Sequence, residues 1–197
     1  LYTTSTSATT GTIEIKAKTP TANRVIVSVS DGTQTIMKAI STKPSKNIIH
    51  IETPGTLAEL LADYDKDAIT KLTVSGNLNT NDITTLKELP NLAVLDMGNA
   101  NLAEEELPGY VFHNNQTLTS VVLPKNLKRL GAAAFQSSKV ADVTLPDGLS
   151  SIEESTFAGC KELISIIIPG SVTAVKDGAF RECDKLISFT MLDGVTS

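Results

Sequence analysis

Residues 163–183 read Leu163-Ile-Ser-Ile-Ile-Ile-Pro169-Gly-Ser-Val172-Thr-Ala-Val175-Lys-Asp-Gly-Ala-Phe180-Arg-Glu-Cys183, and the spacing of their apolar residues decides the fold. An apolar–x–x–apolar–x–apolar run (Leu163, Ile166, Ile168) is closed by a proline. An apolar pair three residues apart follows (Val172, Val175), and a Phe comes five residues later. The same run occurs at Ile69, Leu72, Val74; Leu92, Leu95, Met97; Leu118, Val121, Leu123; Val140, Val143, Leu145; and Leu186, Phe189, Met191. The intervals between these six runs are 23, 26, 22, 23 and 23 residues.

A period in the twenties with this pattern is that of a leucine-rich-repeat solenoid, in which each coil lays down one strand and returns to begin the next. Agreement extends past the strand. Pro124, Pro146 and Pro169 end it by removing a backbone donor. Leu127, Leu149 and Val172 follow, then Leu130, Ile152 and Val175, then Phe135, Phe157 and Phe180, with Phe112 five residues after Leu107. Each Phe is predicted to plug the middle of its coil. The short coil lacks one residue in the turn after Phe135. The long one holds three extra residues within Gly98 to Glu106, so both irregularities fall between apolar columns and point outward.

The fold class is therefore α/β: a solenoid with a parallel strand ribbon and short helical turns. Side chains alternate along a strand, so the residues between the apolar ones face away from the core. They supply a candidate ligand face of Lys71, Thr73, Asp96, Ser120, Val122, Asp142, Thr144, Ser165, Ile167, Ser188 and Thr190, with Val94 among them. Six strands about 4.8 Å apart make a ribbon roughly 25 Å wide. Ser and Thr also suit an ordinary solvated sheet, the bland reading of the same residues.

Ahead of the repeats, residues 1–47 form a β-rich segment, either leaning on the solenoid or the remainder of a larger β-domain. Residues 1–11, rich in Thr and Ser, read as disordered or weakly ordered. Alternating stretches Thr12–Lys18, Arg24–Ser30 and Thr33–Ser41 follow, separated by turns at Pro20 and Asn23 and at Asp31-Gly32. After the apolar run Ile48–Ile51, Thr56 and Glu59 have capping-box spacing, and Leu57, Leu60, Leu61 and Tyr64 mark one helical face, a capping helix over the end of the stack. A second helix is predicted from Asp82, as its cap, to Leu89. The solenoid is thus assigned to 48–197. At its end Val195 matches Val172, yet the next apolar residue and Phe do not arrive, which predicts a truncated chain or one that continues in the native protein.

The 197 residues carry a net charge of −5, with scattered Lys and Arg, no Trp and 4% aromatics. That excludes the clustered basic surface that nucleic acids and anionic membranes demand. No apolar stretch has the length of a membrane span, and no signal-peptide pattern opens the chain. Cys160 and Cys183 lie 23 apart, in a column with Asn115 and Ser138 that asks for a small residue at a tight turn, so buried free thiols are expected over a disulfide. His50 and His113 lack partners at ligand or triad spacing, and no CxxC pair is present, so neither metal nor cofactor is expected. Glu104-Glu105-Glu106 and Glu153-Glu154 read as exposed acids. A hydrolase using Glu104 to Glu106 with His113 would need a cleft that nothing in the sequence implies.

The coil of residues 163–183, with its recurring Ala-Phe (Ala134-Phe135, Ala179-Phe180) and Cys at the following turn, resembles the repeat of the BspA-type bacterial leucine-rich-repeat surface proteins. The stretch from Thr53-Pro-Gly-Thr-Leu-Ala-Glu-Leu-Leu to Leu95-Asp96-Met97 is similar to the segment preceding such repeats in secreted proteins of anaerobic gut-type bacteria. The likeness covers 48–197. Most coils lack the Asn ladder of better-known leucine-rich repeats; only Asn126 lies near that position. The resemblance implies an exported, extracellular or outer-surface protein, often lipid-anchored in the precursor. It also implies a non-enzymatic binding or adhesion role toward a protein or glycan on host or neighbouring cells. No catalytic residues come with it. A structural spacer that displays another domain is the alternative.

Overall fold

Short alternating strands bury one face each, and stacking them in parallel lets successive coils share one core. The computed structural model describes residues 46–193 throughout and, of residues 1–45, the backbone of four strands. The chain divides into two compact units, 1–44 and 45–197. In the first, β1 (Thr4–Thr6) pairs antiparallel with β2 (Ile13–Ile15), and β3 (Arg24–Ser30) with β4 (Thr35–Ser41). β3 and β4 follow the alternating stretches of the sequence. β1 lies in the stretch read as disordered or weakly ordered, with Thr4 in register with Ile15 and Thr6 with Ile13. The predicted turns at Pro20, Asn23 and Asp31-Gly32 lie outside the described residues.

The second unit runs β5 (Ile48–Ile51), α1 (Leu57–Leu60), a 3-10 turn (Lys66–Ala68), β6 (Lys71–Leu78), α2 (Thr80–Lys87), β7 (Val94–Leu102), β8 (Glu106–Leu107), β9 (Ser120–Val122), β10 (Arg129–Leu130), β11 (Asp142–Thr144), β12 (Ser151–Ile152), β13 (Ser165–Ile168), β14 (Ala174–Val175) and β15 (Ser188–Met191). The main ribbon is parallel, ordered β5-β6-β7-β9-β11, with β13-β15 as a separate parallel pair. The first five apolar runs are buried, from Ile69, Leu72 and Val74 to Leu163, Ile166 and Ile168. In the last, Phe189 and Met191 are 42% and 53% exposed, because no described coil covers them.

The return halves of the coils make a second parallel ribbon, β8-β10-β12-β14, of two-residue strands. The sequence marks Leu107, Leu130, Ile152 and Val175 as an apolar column; two residues are too few for alternation to mark a strand as well. Between the ribbons the rings of Phe112, Phe135, Phe157 and Phe180 stack in a single file. Successive centroids are 5.3, 5.3 and 5.4 Å apart, with interplanar angles of 22°, 7° and 9°. Phe112, Phe135 and Phe157 are buried, and Phe180 closes the file against Phe189, edge to face at 5.2 Å.

The backbone around each Phe supplies a third set of bonds between coils. Phe112, Phe135 and Phe157 donate their amides to the carbonyls of Ala134, Thr156 and Ala179 at 2.7, 2.8 and 2.8 Å. The residues two before and two after each Phe donate likewise, for example Ala133 to Glu154 at 2.9 Å and Ser137 to Ala158 at 2.8 Å. Aiming alternate amides the same way puts those flanking residues in the left-handed region. Tyr110, Ala133, Ser155 and Gly178 have φ of 59°, 54°, 55° and 64°; Asn114, Ser137, Gly159 and Glu182 have 56°, 57°, 70° and 59°. Six of the eight are not glycine, and at five of these (Tyr110, Asn114, Ala133, Ser137 and Ser155) coil-to-coil hydrogen bonds hold the strained conformation in place.

The stack starts one strand earlier than the repeat suggests. β5 pairs with β6 (Ile49 opposite Val74), and α1 is the return of that first coil, with Leu57 and Leu61 fully buried. Gly76 allows the approach: a Cβ there would lie 2.1 Å from the Ile51 carbonyl oxygen. α1 ends at Leu60, which is 38% exposed, and the expected capping box at Thr56 and Glu59 does not form; the Thr56 hydroxyl donates to the Thr53 carbonyl instead. The cap comes from across the coil. Asp82, buried, accepts from the amides of Gly55 (2.7 Å), Leu57 (3.0 Å) and Asn79 (3.0 Å). Asp82 is therefore the third residue of α2 and not its cap: Asn79 caps the helix and the two form the reciprocal box.

Candidate ligand-binding face

The pairing register sets the outer residues of the ribbon in columns. Lys71, Val94, Ser120 and Asp142 stand side by side, as do Thr73, Asp96, Val122 and Thr144, while Ser165 faces Ser188 and Ile167 faces Thr190. Lys71, Asp142, Thr144, Ser165, Ile167, Ser188 and Thr190 are exposed; Thr73, Asp96, Ser120 and Val122 are half-buried among their neighbours. β5 adds Ile48, 69% exposed and beside Thr73, and His50, whose Nδ1 lies 2.9 Å from the Ser75 hydroxyl. These two were missed because their strand precedes the repeat. Asp96 is occupied locally, accepting from the Gly98 amide at 2.9 Å where the strand bulges. Ser120 donates to Asp142 at 3.1 Å.

The ribbon is not continuous. Along the column just before each strand, the amide of one coil donates to the carbonyl of the previous one. Ala93 to Thr70, Thr119 to Ala93 and Ala141 to Thr119 span 2.8 Å each, and Ile187 to Ile164 spans 3.0 Å. Ile164 to Ala141 is stretched to 3.4 Å, and no ladder joins β11 to β13. The coils part on this side only: β12 still pairs with β14, and Phe157 still donates to Ala179 at 2.8 Å. A groove of about 240 Å³ opens there, lined among others by Asp142, Thr144, Asp147, Ser165, Ile167 and Leu192. The sequence implied no such cleft.

Reactive side chains elsewhere are engaged in structure. Cys160 and Cys183 are free thiols; their Sγ atoms donate to the carbonyls of Phe135 and Phe157 at 3.0 and 3.1 Å. Burial pushes the Cys160 pKa up to about 11 and raises that of Cys183, which removes the thiolate needed for nucleophilic chemistry. Asn115, in the same column, instead accepts from the amides of Thr117 and Leu118 at 3.0 and 2.7 Å. His113 is exposed, bonded to Asn114 at 2.8 Å and edge-on to Tyr110. Of the acidic run, Glu106 is in β8 and accepts from Arg129 Nε at 3.0 Å, a contact that raises the Arg129 pKa; Glu104 and Glu105 are exposed. Glu153 accepts from Lys176, which with the Ser151 hydroxyl lowers its pKa below the usual carboxylate value. Asn126 bridges two coils, accepting from the Leu102 amide and donating to the Leu102 carbonyl, a single rung of an Asn ladder. Among the described residues, no three His, Cys, Asp or Glu converge as metal ligands, and no helix is long and apolar enough to cross a membrane.

Comparison with known proteins places these coils. Residues 105–197 match the model of the BspA type leucine rich repeat region in six copies. No curated protein matches the chain. Among solved structures, a leucine rich cell surface protein from Faecalibacterium prausnitzii A2-165 is 23% identical, with a TM-score of 0.41, over 44% of this chain and 29% of its own. The leucine rich repeat protein of T. pallidum is 26% identical, with a TM-score of 0.33, over 43% of this chain and 50% of its own. A leucine-rich repeat protein from Bacteroides ovatus ATCC 8483 is 15% identical, with a TM-score of 0.41, over 98% of this chain and 52% of its own. This chain spans about half the length of those structures or less. With its Phe file and paired ribbons, the repeat region at residues 105–197 belongs to the BspA-type leucine-rich repeat family.

Proposed function

We propose that the chain is a non-enzymatic binding module of the outer bacterial surface, holding a protein or glycan partner of a host or neighbouring cell against the outer face of its main ribbon. The observation that carries this is the face itself. Across the main ribbon and the adjoining β13-β15 pair it mixes hydroxyls (Thr73, Ser120, Thr144, Ser165, Ser188, Thr190), charges (Lys71, Asp96, Asp142) and aliphatics, with Ile48 and Ile167 exposed and Val122 half-buried. Such a mixture suits adhesion, in which exposed apolar side chains contribute affinity and the polar ones select the partner. The printed description of the Faecalibacterium structure as a cell surface protein supports the location.

The test is a binding screen against immobilised matrix proteins and a glycan array. Thr73→Arg and Val122→Arg are set against Gln116→Arg and Glu154→Arg, which lie off the ribbon. Ribbon variants that lose a captured partner at least tenfold, with the off-ribbon pair unchanged, support the assignment. Indifference to both ribbon variants would leave the spacer reading in its place.

A further inference from the structure

The groove where β11 parts from β13 has a chemistry of its own, and we infer that it is a subsite for a basic side chain, lysine or arginine, of a protein partner. This rests on the binding role proposed for the ribbon and names what one part of it selects.

Three observations converge. First, the opening is local and one-sided. Elsewhere along the ribbon the neighbouring strands β5 to β11 are ladder-bonded, whereas here about 240 Å³ opens between strands whose other two sets of coil-to-coil bonds are intact. Second, acid is concentrated at that seam. Asp142 occupies the column of Lys71, Val94 and Ser120, and Asp147, just after Pro146, takes the place that Lys125 has after Pro124 and Gly170 after Pro169. Among the coils with a proline after the strand, only that of β11 has a carboxylate at both positions. Among the described residues neither carboxylate is in an ion pair, and no residue lining the groove is basic. Asp142 spends one oxygen on the Ser120 hydroxyl and keeps the other. Third, the remaining lining is apolar below and beside: Val143 and Ile166 are buried beneath, while Ile167 and Leu192 are 59% and 47% exposed at the side.

Apolar walls with carboxylates and hydroxyls at the mouth complement a side chain that has an aliphatic stem and a cationic head. A sugar would find no aromatic platform among the lining residues, and an anion would meet two carboxylates. The net charge of −5 adds long-range attraction for basic segments.

The experiment is an amide chemical-shift titration of the full chain with Nα-acetyl-lysine amide and Nα-acetyl-arginine amide. Nα,Nε-diacetyl-lysine amide serves as the uncharged control and N-acetylglucosamine as the glycan probe. Both cationic probes are expected to shift the amides of 142–145, 147 and 165–168, saturating at millimolar concentration, with the diacetyl analogue at least tenfold weaker. The double variant Asp142→Asn, Asp147→Asn, whose spectrum reports that the fold is retained, is expected to lose the response at least tenfold, and Glu154→Gln to keep it. Equal shifts from the uncharged analogue, shifts from the sugar alone, or a cation response that is scattered over the surface and survives the double variant would each overturn the inference. A groove blind to cations, alongside ribbon variants that still weaken a partner, would overturn the subsite and leave the ribbon assignment standing.

Discussion

Replacing Phe135 by alanine removes a ring that is fully buried and stacked on both sides, at 5.3 Å from Phe112 and 5.3 Å from Phe157. Truncating a buried Phe costs about 3–5 kcal/mol, and two aromatic pairs at about 0.5–1.5 kcal/mol each place this one at the upper end. The ring stands between its neighbours in the coils on either side, so the cavity weakens two coil interfaces at once, which in a one-dimensional stack separates the protein into two weaker blocks. For a unit of this size, stability is on the order of 10 kcal/mol. A loss of about 4 kcal/mol at a urea slope of about 2 kcal/mol/M lowers the midpoint by about 2 M.

Two companions make the reasoning falsifiable. Phe180→Ala removes a half-buried ring stacked on Phe157 and edge-on to the exposed Phe189, so about 2 kcal/mol is expected. Phe135→Leu keeps most of the volume and loses the stacking, so about 1–3 kcal/mol is expected. The assay is urea unfolding followed by far-ultraviolet circular dichroism. A Phe135→Ala midpoint within 0.5 M (roughly 1 kcal/mol) of the parent, or a Phe180→Ala loss equal to it, would refute the Phe file as the mechanical centre of the stack.

Asp82→Ala strands three amide donors, those of Gly55, Leu57 and Asn79, and is expected to cost about 3 kcal/mol and to speed hydrogen exchange at residues 55–61; unchanged exchange there would count against it. Glu182→Gly, placing glycine at φ 59° as Gly159 already is at 70°, should raise stability by about 0.5–1 kcal/mol, since relief of left-handed strain exceeds the added chain entropy; thermal unfolding reads the sign. Cys160 in the folded protein should resist a thiol reagent at pH 8 and react promptly in denaturant. Its folded pKa of about 11 exceeds the ordinary 9.0, so the unfolded chain binds fewer protons at this thiol between those values: its contribution to stability is constant below pH 9 and falls by about 2–3 kcal/mol as pH rises to 11, measurable as the difference between the parent and Cys160→Ala in urea unfolding across that window.

The repeat was legible because it is written in volume. A Phe every 22 or 23 residues from Phe112 onward, between fixed apolar columns, has few uses other than a file of plugs in a solenoid, and the rings do stack. Features made by backbone geometry were harder to read. The second ribbon consists of two-residue strands, below the length at which alternation is visible. The left-handed turn positions hold Tyr110, Ala133, Ser155, Asn114 and Ser137, none of them glycine, so side-chain identity hides a conformation that coil-to-coil hydrogen bonds enforce. Asp82 was read as a local cap because its other partners, Gly55 and Leu57, are 27 and 25 residues away.

The groove shows the same division most sharply. The interval from Val140 to Leu163 is 23 residues, the same as from Leu163 to Leu186, so nothing in the period distinguishes the seam that opens from the seam that closes. What distinguishes them is a hydrogen bond of 3.4 Å where its column-mates are 2.8 to 3.0 Å, a feature of how coils stack and not of which residues they contain. The sequence does place Asp142, Thr144, Ser165 and Ile167 on the outer face. Only the opened seam turns these from points along a flat ribbon into the walls of a concave site. In a solenoid, where every coil repeats the same interior, a concave feature arises where the stacking lapses, and in this ribbon that place lies between β11 and β13, which is why the proposed subsite is set there.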